Sequence, residues 1–233
     1  MTLMKRYRTL FFDLDNTLWD FTANSDEAFA ILYGRYGLAR HGIPLEKLLE
    51  VYHRHNDRMW EAYRQGQLDK ETLRWKRFYL TFAELGVRDE ALARRFEKDY
   101  LDTAKRMTRL VEGAREVLDR LHARYPLYLV TNGFNEVQFF KVRNSGLEAY
   151  FEKVITSEMA GALKPHPRFF AYALDEAGAD VATTLMIGDD VASDIAGAAA
   201  AGLDTVLFNP HRRPHHGHPT YEITRLQELL TIV

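Results

Sequence analysis

An α/β fold, a doubly wound parallel sheet interrupted by an all-helical insertion, is the architecture this sequence predicts. Three observations predict it. A short apolar run, Thr9-Leu10-Phe11-Phe12, leads into two acids, Asp13 and Asp15. Helical periodicity alone fills the chain from about Asn24 to Met107. From Gly113 onward strand-like and helix-like segments alternate, which implies parallel strands covered by helices on both faces. The first strand must join that later sheet, because alone it cannot bury its apolar faces. The expected partition is a core of residues 1–20 and 108–233 and a helical domain of residues 21–107.

The elements follow in order. Met1 to Arg8 is short and basic, with Lys5, Arg6 and Arg8 read as a solvated terminus running straight into the first strand. Asn24–Tyr36 has apolar residues at helical spacing, with Asp26 and Glu27 expected in its first turn, where the helix dipole favours acids. Pro44 suits the first turn of a second helix that runs to Arg64 and stops at Gly66. Asp69 caps a third that ends at Gly86, and Arg88–Met107 makes a fourth. Strands are expected at Leu127–Thr131, Val154–Ser157, Thr184–Gly188 and Thr205–Asn209. Helices are expected at Ala114–Arg124, Glu136–Ser145, Pro167–Ala177, Ser193–Ala201 and Thr224–Leu230. Four of the nine histidines fall at 211, 215, 216 and 218, in a Pro-rich stretch read as a polar loop without the framework a zinc site needs.

Composition narrows the function. The chain has 233 residues, 46% hydrophobic and 27% charged, enough for a sizeable core and one or two domains. Net charge is −2 and the pI is near 6.5, so bulk charge attracts neither a nucleic-acid polymer nor an acidic membrane. There is no cysteine, which excludes disulfides, thiolate catalysis and Cys-based zinc sites. With no signal-peptide pattern or membrane-length apolar run, a cytoplasmic protein is the default.

The chemistry sits at predicted strand ends. In an open α/β sheet the strands' C-terminal edge is where ligands bind. Asp13 and Asp15 are two residues apart, and strand alternation projects them the same way. Like charges this close repel unless a cation lies between them or one takes a proton. That points to a Mg²⁺ site, a nucleophile with a general acid, or both. Thr131-Asn132-Gly133 ends another strand with a hydroxyl and backbone N–H groups suited to phosphate oxygens. Lys164, just before a helix, is a compact cation for a phosphoryl group or an aspartate nucleophile. Gly188-Asp189-Asp190 ends a third strand, and Asp194 follows one turn later, completing with Asp13 an oxygen-rich cation site. Singly each of these is a common turn or cap. Jointly they supply nucleophile, acid, anion clamp, cation and metal ligands at one edge.

Asp13-Leu14-Asp15-Asn16-Thr17, Thr131, Lys164 and Gly188-Asp189-Asp190 with Asp194 resemble, in order, the four motifs of the haloacid dehalogenase (HAD) superfamily of phosphohydrolases. Within it the chain is similar to the YjjG-type pyrimidine 5′-nucleotidases. That similarity lies in Leu18-Trp19-Asp20-Phe21, Trp60–Gly66, Thr131–Phe134, Gly146–Phe151 and Thr156-Ser157-Glu158. The resemblance implies a HAD-like Rossmannoid core with an inserted C1 cap. It implies hydrolysis of a small phosphomonoester with Mg²⁺, Asp13 as nucleophile and Asp15 as general acid and base. Asp13, Leu14, Thr131, Asn132 and Lys164 would hold the phosphoryl group. Asp13, the Asp15 carbonyl, Asp189 and Asp194 would serve the metal, with Asp190 a position that varies. Trp19, Phe21, Trp60, Tyr63 and Phe134 are candidates for substrate choice, although aromatics at helical spacing in the cap mostly build its core. A monomer or weak homodimer is expected.

Rival readings differ at named residues. A 2-haloacid dehalogenase shares the aspartate nucleophile, but halide leaves without a proton, so Asp15 has no task there. A phosphomutase, or a phosphatase for a sugar phosphate or phosphoglycolate, shares the core chemistry and differs mainly in the cap. A receiver-like signalling module is far shorter and lacks both the helical insertion and an acid two residues after the phosphorylated one. A catalytically dead scaffold would leave clustered acids without a purpose.

Overall fold

The computed structural model describes residues 7–233, so the reading of Lys5 and Arg6 lies outside the described residues. The chain divides into two compact units, Met1–Phe21 with Thr108–Val233, and Thr22–Met107.

The first unit is built on β1 (Thr9–Phe12), β2 (Leu127–Thr131), β3 (Lys153–Thr156), β4 (Thr184–Gly188), β5 (Asp204–Phe208) and β6 (Tyr221–Ile223). All pair in parallel in the order β3-β2-β1-β4-β5-β6, a doubly wound sheet that reverses direction beside β1. β1, β2 and β4 are buried along nearly their whole length, as strands covered on both faces require. One core layer joins Phe11, Val130, Ile155 and Met186 to Phe169, Phe170 and Ala173 of the helix Pro167–Ala177.

Four details depart from the expected elements. Regular pairing of β1 stops at Phe12, and the next residues form a tight turn in which the Leu14 carbonyl accepts from the N–H groups of Thr17, Leu18 and Trp19. Asn16 takes φ 61° there, a left-handed conformation that asparagine tolerates better than most residues. Strand alternation therefore does not extend to Asp15. Second, Ser193–Ala201 is not one α-helix. A π-helical turn, Val191–Ala196, precedes a short α-helix at Gly197–Ala200. The Asp190 carboxylate accepts from both Ala192 N–H and Ser193 N–H at 2.9 Å, and the Asp190 carbonyl accepts from Asp194 and Ile195, which widens the turn. Third, Leu226–Thr231 is 3₁₀ rather than α, with the Glu228 carboxylate accepting from Thr224 N–H and Arg225 N–H. Fourth, β6 escapes prediction because only Ile223 of its three residues is buried, leaving no alternation to read.

The second unit contains nearly all of α1 (Phe21–Tyr36), with α2 (Leu45–Arg64), α3 (Lys70–Glu84) and α4 (Glu90–Ala104). Because α1 starts at Phe21, Asp26 and Glu27 fall in its second turn, a correction to the dipole argument. Asp69 caps α3 by accepting from Thr72 N–H at 2.7 Å, and Asp89 caps α4 by accepting from Leu92 N–H at 2.8 Å. The core is aromatic. Phe29 has the rings of Tyr52, Phe96, Tyr100 and Phe78 at centroid distances of 4.2, 5.3, 5.2 and 6.0 Å. Tyr33, Tyr36, Tyr52, Phe78, Tyr79 and Phe82 all belong to or pack on this cluster, as helical spacing predicts for most of the aromatics here.

Candidate active site

Strand register brings the chemistry together. Phe12 lies level with Leu129 on one side and Ile187 on the other, so β1, β2 and β4 end at one edge. Asp13 follows β1 and is pinned there by its N–H, which donates to the Ile187 carbonyl at 2.9 Å. Thr131 closes β2, and Asp189 follows β4. Lys164 comes from the loop before the helix Pro167–Ala177. The Asn132 side chain fixes that loop, donating from Nδ2 to the Lys164 carbonyl at 2.9 Å and accepting the Lys164 N–H on Oδ1 at 2.7 Å.

Lys164 is 1% exposed and its ammonium spends three donors, on Asp13 Oδ1 at 2.7 Å, Asp194 Oδ1 at 2.7 Å and the Val130 carbonyl at 2.8 Å. The other Asp194 oxygen, Oδ2, accepts the Asp190 N–H at 3.1 Å. Asp189 Oδ1 accepts the Thr17 hydroxyl at 3.1 Å, a partner that spacing did not reveal. Gly188 makes the crowding feasible, since a Cβ there would lie 2.2 Å from Asp194 Oδ2.

Asp13, Asp189 and Asp194 each offer an oxygen within 4.8 Å of the others. One ammonium faces three carboxylates, so negative charge is in excess. Burial pushes Asp13 up to about 7, with the adjacent Lys164 pulling the other way and Asp194 adding to the rise. Burial, then the charges of Asp13 and Asp194, holds Asp189 well above the carboxylate range. Asp194 is raised by burial against the pull of Lys164. Burial alone would lower Lys164, but the Asp13 and Asp194 charges outweigh it and hold its ammonium above the usual value. A second cation with a preference for hard oxygen donors is what this set lacks, and a magnesium-class ion fits it.

The Asp15 carboxylate is not part of that cluster. Asp15 turns instead to the helix α6 (Asn135–Asn144), which follows α5 (Ala114–His122) along the chain, accepting Lys141 Nζ on Oδ1 at 2.7 Å and Gln138 Nε2 on Oδ2 at 2.8 Å. Gln138 Nε2 also donates to the Thr131 hydroxyl at 2.7 Å, and Gly133 N–H donates to the same oxygen at 3.1 Å. Gln138 and Lys141 are functional-site neighbours that sequence reasoning missed. The available signal was periodicity: on α6 they occupy buried positions at helical spacing, where apolar residues are the norm.

A model of the haloacid dehalogenase-like hydrolases matches residues 7–202. The chain belongs to that family. It is 35% identical to the pyrimidine 5′-nucleotidase PynA of Streptococcus pneumoniae, covering 96% of this chain and 94% of that one. It is 30% identical to the pyrimidine 5′-nucleotidase YjjG of Escherichia coli, covering 94% and 95%. Among solved structures it is similar to YfnB of Bacillus subtilis, which is bound to magnesium and reveals interdomain movement. The TM-score is 0.89 and the identity 33%, over 98% of this chain and 99% of that one. PynA and YjjG are by name phosphoric monoester hydrolases.

In this haloacid dehalogenase-like hydrolase the candidate specificity residues fall in different settings. Trp19 is 1% exposed, with its ring 6.4 Å from that of Phe21 and the Lys141 ammonium 4.1 Å from its centroid. Its indole face is thus already occupied. Leu14 and Phe134 are buried, Phe134 at the N-terminus of α6. Trp60 and Tyr63, on α2 of the helical unit, are half-buried and meet edge to face at 5.8 Å. His215 pairs with Glu222 at 3.3 Å, and among the described residues the histidines of that loop join no metal-ligating cluster. No helix among the described residues is long and apolar enough to cross a membrane.

Proposed function

We propose that this protein is a magnesium-dependent phosphate-monoester hydrolase that works through an aspartyl phosphate. The observation that carries the reading is Asp13, fixed at the end of β1 beside the Lys164 ammonium and within reach of the Asp189 and Asp194 oxygens. Asp13 is the nucleophile: its free oxygen bonds phosphorus as the ester P–O bond breaks. Asp15, protonated at first, gives its proton to the leaving oxygen, then takes one from the water that cleaves the Asp13–phosphorus bond. Lys164 offsets the charge of Asp13 and of the incoming phosphoryl group. The Thr131 hydroxyl proton, not spent on Gln138 or Gly133, and the Asn132 N–H supply further donors to phosphoryl oxygens. Asp13, Asp189, Asp194 and the Asp15 carbonyl would hold the magnesium ion, which when bound supplies positive charge to the phosphoryl oxygens.

The preferred substrates in this reading are nucleoside 5′-monophosphates, with pyrimidines favoured. The similarity to PynA and YjjG over nearly the whole chain supports it. We assign choice of the leaving group to the helical unit, as a cap whose movement excludes water, with Trp60 and Tyr63 as candidates. The interdomain movement in YfnB supports a mobile cap. A hydrolysis screen with magnesium tests the reading. UMP, dUMP and dTMP should exceed sugar phosphates and phosphoglycolate. If they do not, the nucleotidase assignment fails, and if no phosphomonoester is cleaved the phosphatase assignment fails with it.

A further inference from the structure

Helix α6 points polar side chains inward. Gln138 is 1% exposed and Lys141 5%. A buried ammonium is costly unless it is paired, and here the pair is Asp15. Lys141 holds one Asp15 oxygen and Gln138 the other, at 2.7 and 2.8 Å, so the carboxylate plane is fixed at two points. The Lys141 ammonium also lies 4.1 Å from the Trp19 centroid and 5.5 Å from that of Phe21, so both rings bear on its position. The second Gln138 Nε2 hydrogen goes to the Thr131 hydroxyl at 2.7 Å, tying Asp15 to the end of β2. Gln138 Oε1 is buried without a donor. Leaving that oxygen orphaned is costly, so the direction of this amide is set by the acid and the hydroxyl on its other side. Gly133 keeps the path open, since a Cβ there would sit 2.2 Å from Gln138 Nε2. The Asp15 carboxylate is not among the three, of Asp13, Asp189 and Asp194, whose oxygens gather within 4.8 Å of one another.

We propose that Lys141 and Gln138 are positioning residues that hold Asp15 for proton transfer. The proposal rests on the phosphatase reading given above. Lys141 carries the larger share, because a charged donor to a carboxylate is about twice as strong as a neutral one. Each Asp15 oxygen keeps a second lone pair, so a proton arrives and departs without breaking either contact. When the ester P–O bond breaks, the Asp15 proton passes to the leaving oxygen. When water attacks the phosphoenzyme, its proton passes to Asp15. Lys141 and Gln138 exchange none.

The test uses the full chain with magnesium and two esters. A nucleoside 5′-monophosphate has an alkoxide leaving group that needs the Asp15 proton. 2,4-Dinitrophenyl phosphate has a leaving group that needs none. kcat/KM covers only the steps up to departure of the alcohol or phenol, and the ratio of the two values is insensitive to how much of a variant folds. Lys141→Met should lower kcat/KM for the nucleotide about 100-fold, and for the aryl ester by less than about 3-fold, since general acid catalysis contributes ~10²–10⁴. Lys141→Arg, which keeps a charged donor, should recover most of the nucleotide rate. Equal losses on both esters, or no loss on either, overturn the clamp while leaving an active wild type as a phosphatase. A wild type inactive on both esters overturns the phosphatase reading and the clamp with it.

Discussion

In the sheet unit a buried ammonium, Lys164, meets two carboxylates at 2.7 Å each. In the helical unit a buried guanidinium, Arg77, meets aromatic faces. Its Cζ lies 4.9 Å from the Phe78 centroid, 5.7 Å from Tyr100 and 6.0 Å from Tyr52, and Nη1 donates to Asn56 Oδ1 at 2.6 Å. The two solutions differ in what they leave over. Rings and an amide accommodate a cation without adding charge of their own. Three carboxylates around one lysine leave a net negative pocket, and a buried ion pair is a poor source of stability in any case. The centre of the sheet unit is therefore strained in charge terms and suited to chemistry, while that of the helical unit is held by packing. Substitutions at the two centres should move activity and stability in different proportions.

The largest effect is expected at Asp13. Asp13→Asn should lower turnover by on the order of 10⁴-fold or more and abolish the phosphoenzyme. Its thermal midpoint in EDTA should not fall, because one of three mutually repelling acids has gone while Lys164 keeps Asp194. Steady-state rates and thermal unfolding on the same preparation check both halves. A midpoint that drops by several degrees would show that the acid cluster holds the fold and would break the comparison. Chelation probes the same charge excess from outside. EDTA should bring activity to background and magnesium should restore it. Magnesium should also raise the thermal midpoint of the wild type more than that of Asp194→Asn, since a ligand that binds only the folded state stabilises it.

Phe29→Ala should give the reverse pattern. Phe29 is fully buried among four rings, and removing such a side chain costs about 3–5 kcal/mol. Denaturant unfolding should show that loss, with the magnesium requirement of the remaining activity unchanged. A Phe29→Ala protein as stable as wild type would mean that the ring cluster is not what holds the helical unit together.

How much was legible in the sequence follows the same division. The acids at strand ends were legible because apolar runs flank them on one side and turn residues on the other. Asp13, Thr131 and Asp189 come to one edge because β1, β2 and β4 end in register, which a parallel sheet makes predictable, and Lys164 bonds Asp13 and Asp194 there. The aromatic core of the helical unit was legible from helical spacing. Asp15 was legible as an acid two residues after Asp13, but its contacts were not, because past Phe12 a left-handed Asn16 and a turn take over. Gln138 and Lys141 were overlooked because their partner lies more than 120 residues away, and helical spacing marks a position as inward without naming what it meets. The π-turn at Val191–Ala196 was hidden because it is dictated by Asp190 capping rather than by apolar periodicity.

The smallest expected effect sharpens the comparison from the helical side. The Tyr36 hydroxyl donates to Asp99 Oδ2 at 2.9 Å near the surface of that unit. Burial first, then this hydrogen bond and the Asp99 charge, push the phenol up to about 12, while Arg95 and Arg35 pull the other way. A phenol raised above its unfolded value binds its proton more tightly when folded. Its contribution is therefore complete below an ordinary tyrosine value of about 10 and is lost as pH rises from there towards the folded value. Tyr36→Phe should cost about 0.5–1.5 kcal/mol at neutral pH, the usual worth of one such bond. The gap in thermal midpoint between wild type and variant should hold steady up to about pH 9 and narrow above about pH 10. A gap near zero across that whole range would mean that packing of the ring, which the phenylalanine keeps, rather than the proton shared with Asp99, is what Tyr36 contributes. The polar contacts of the helical unit would then be incidental to its stability, and its contrast with the charge-built centre of the sheet unit would be complete.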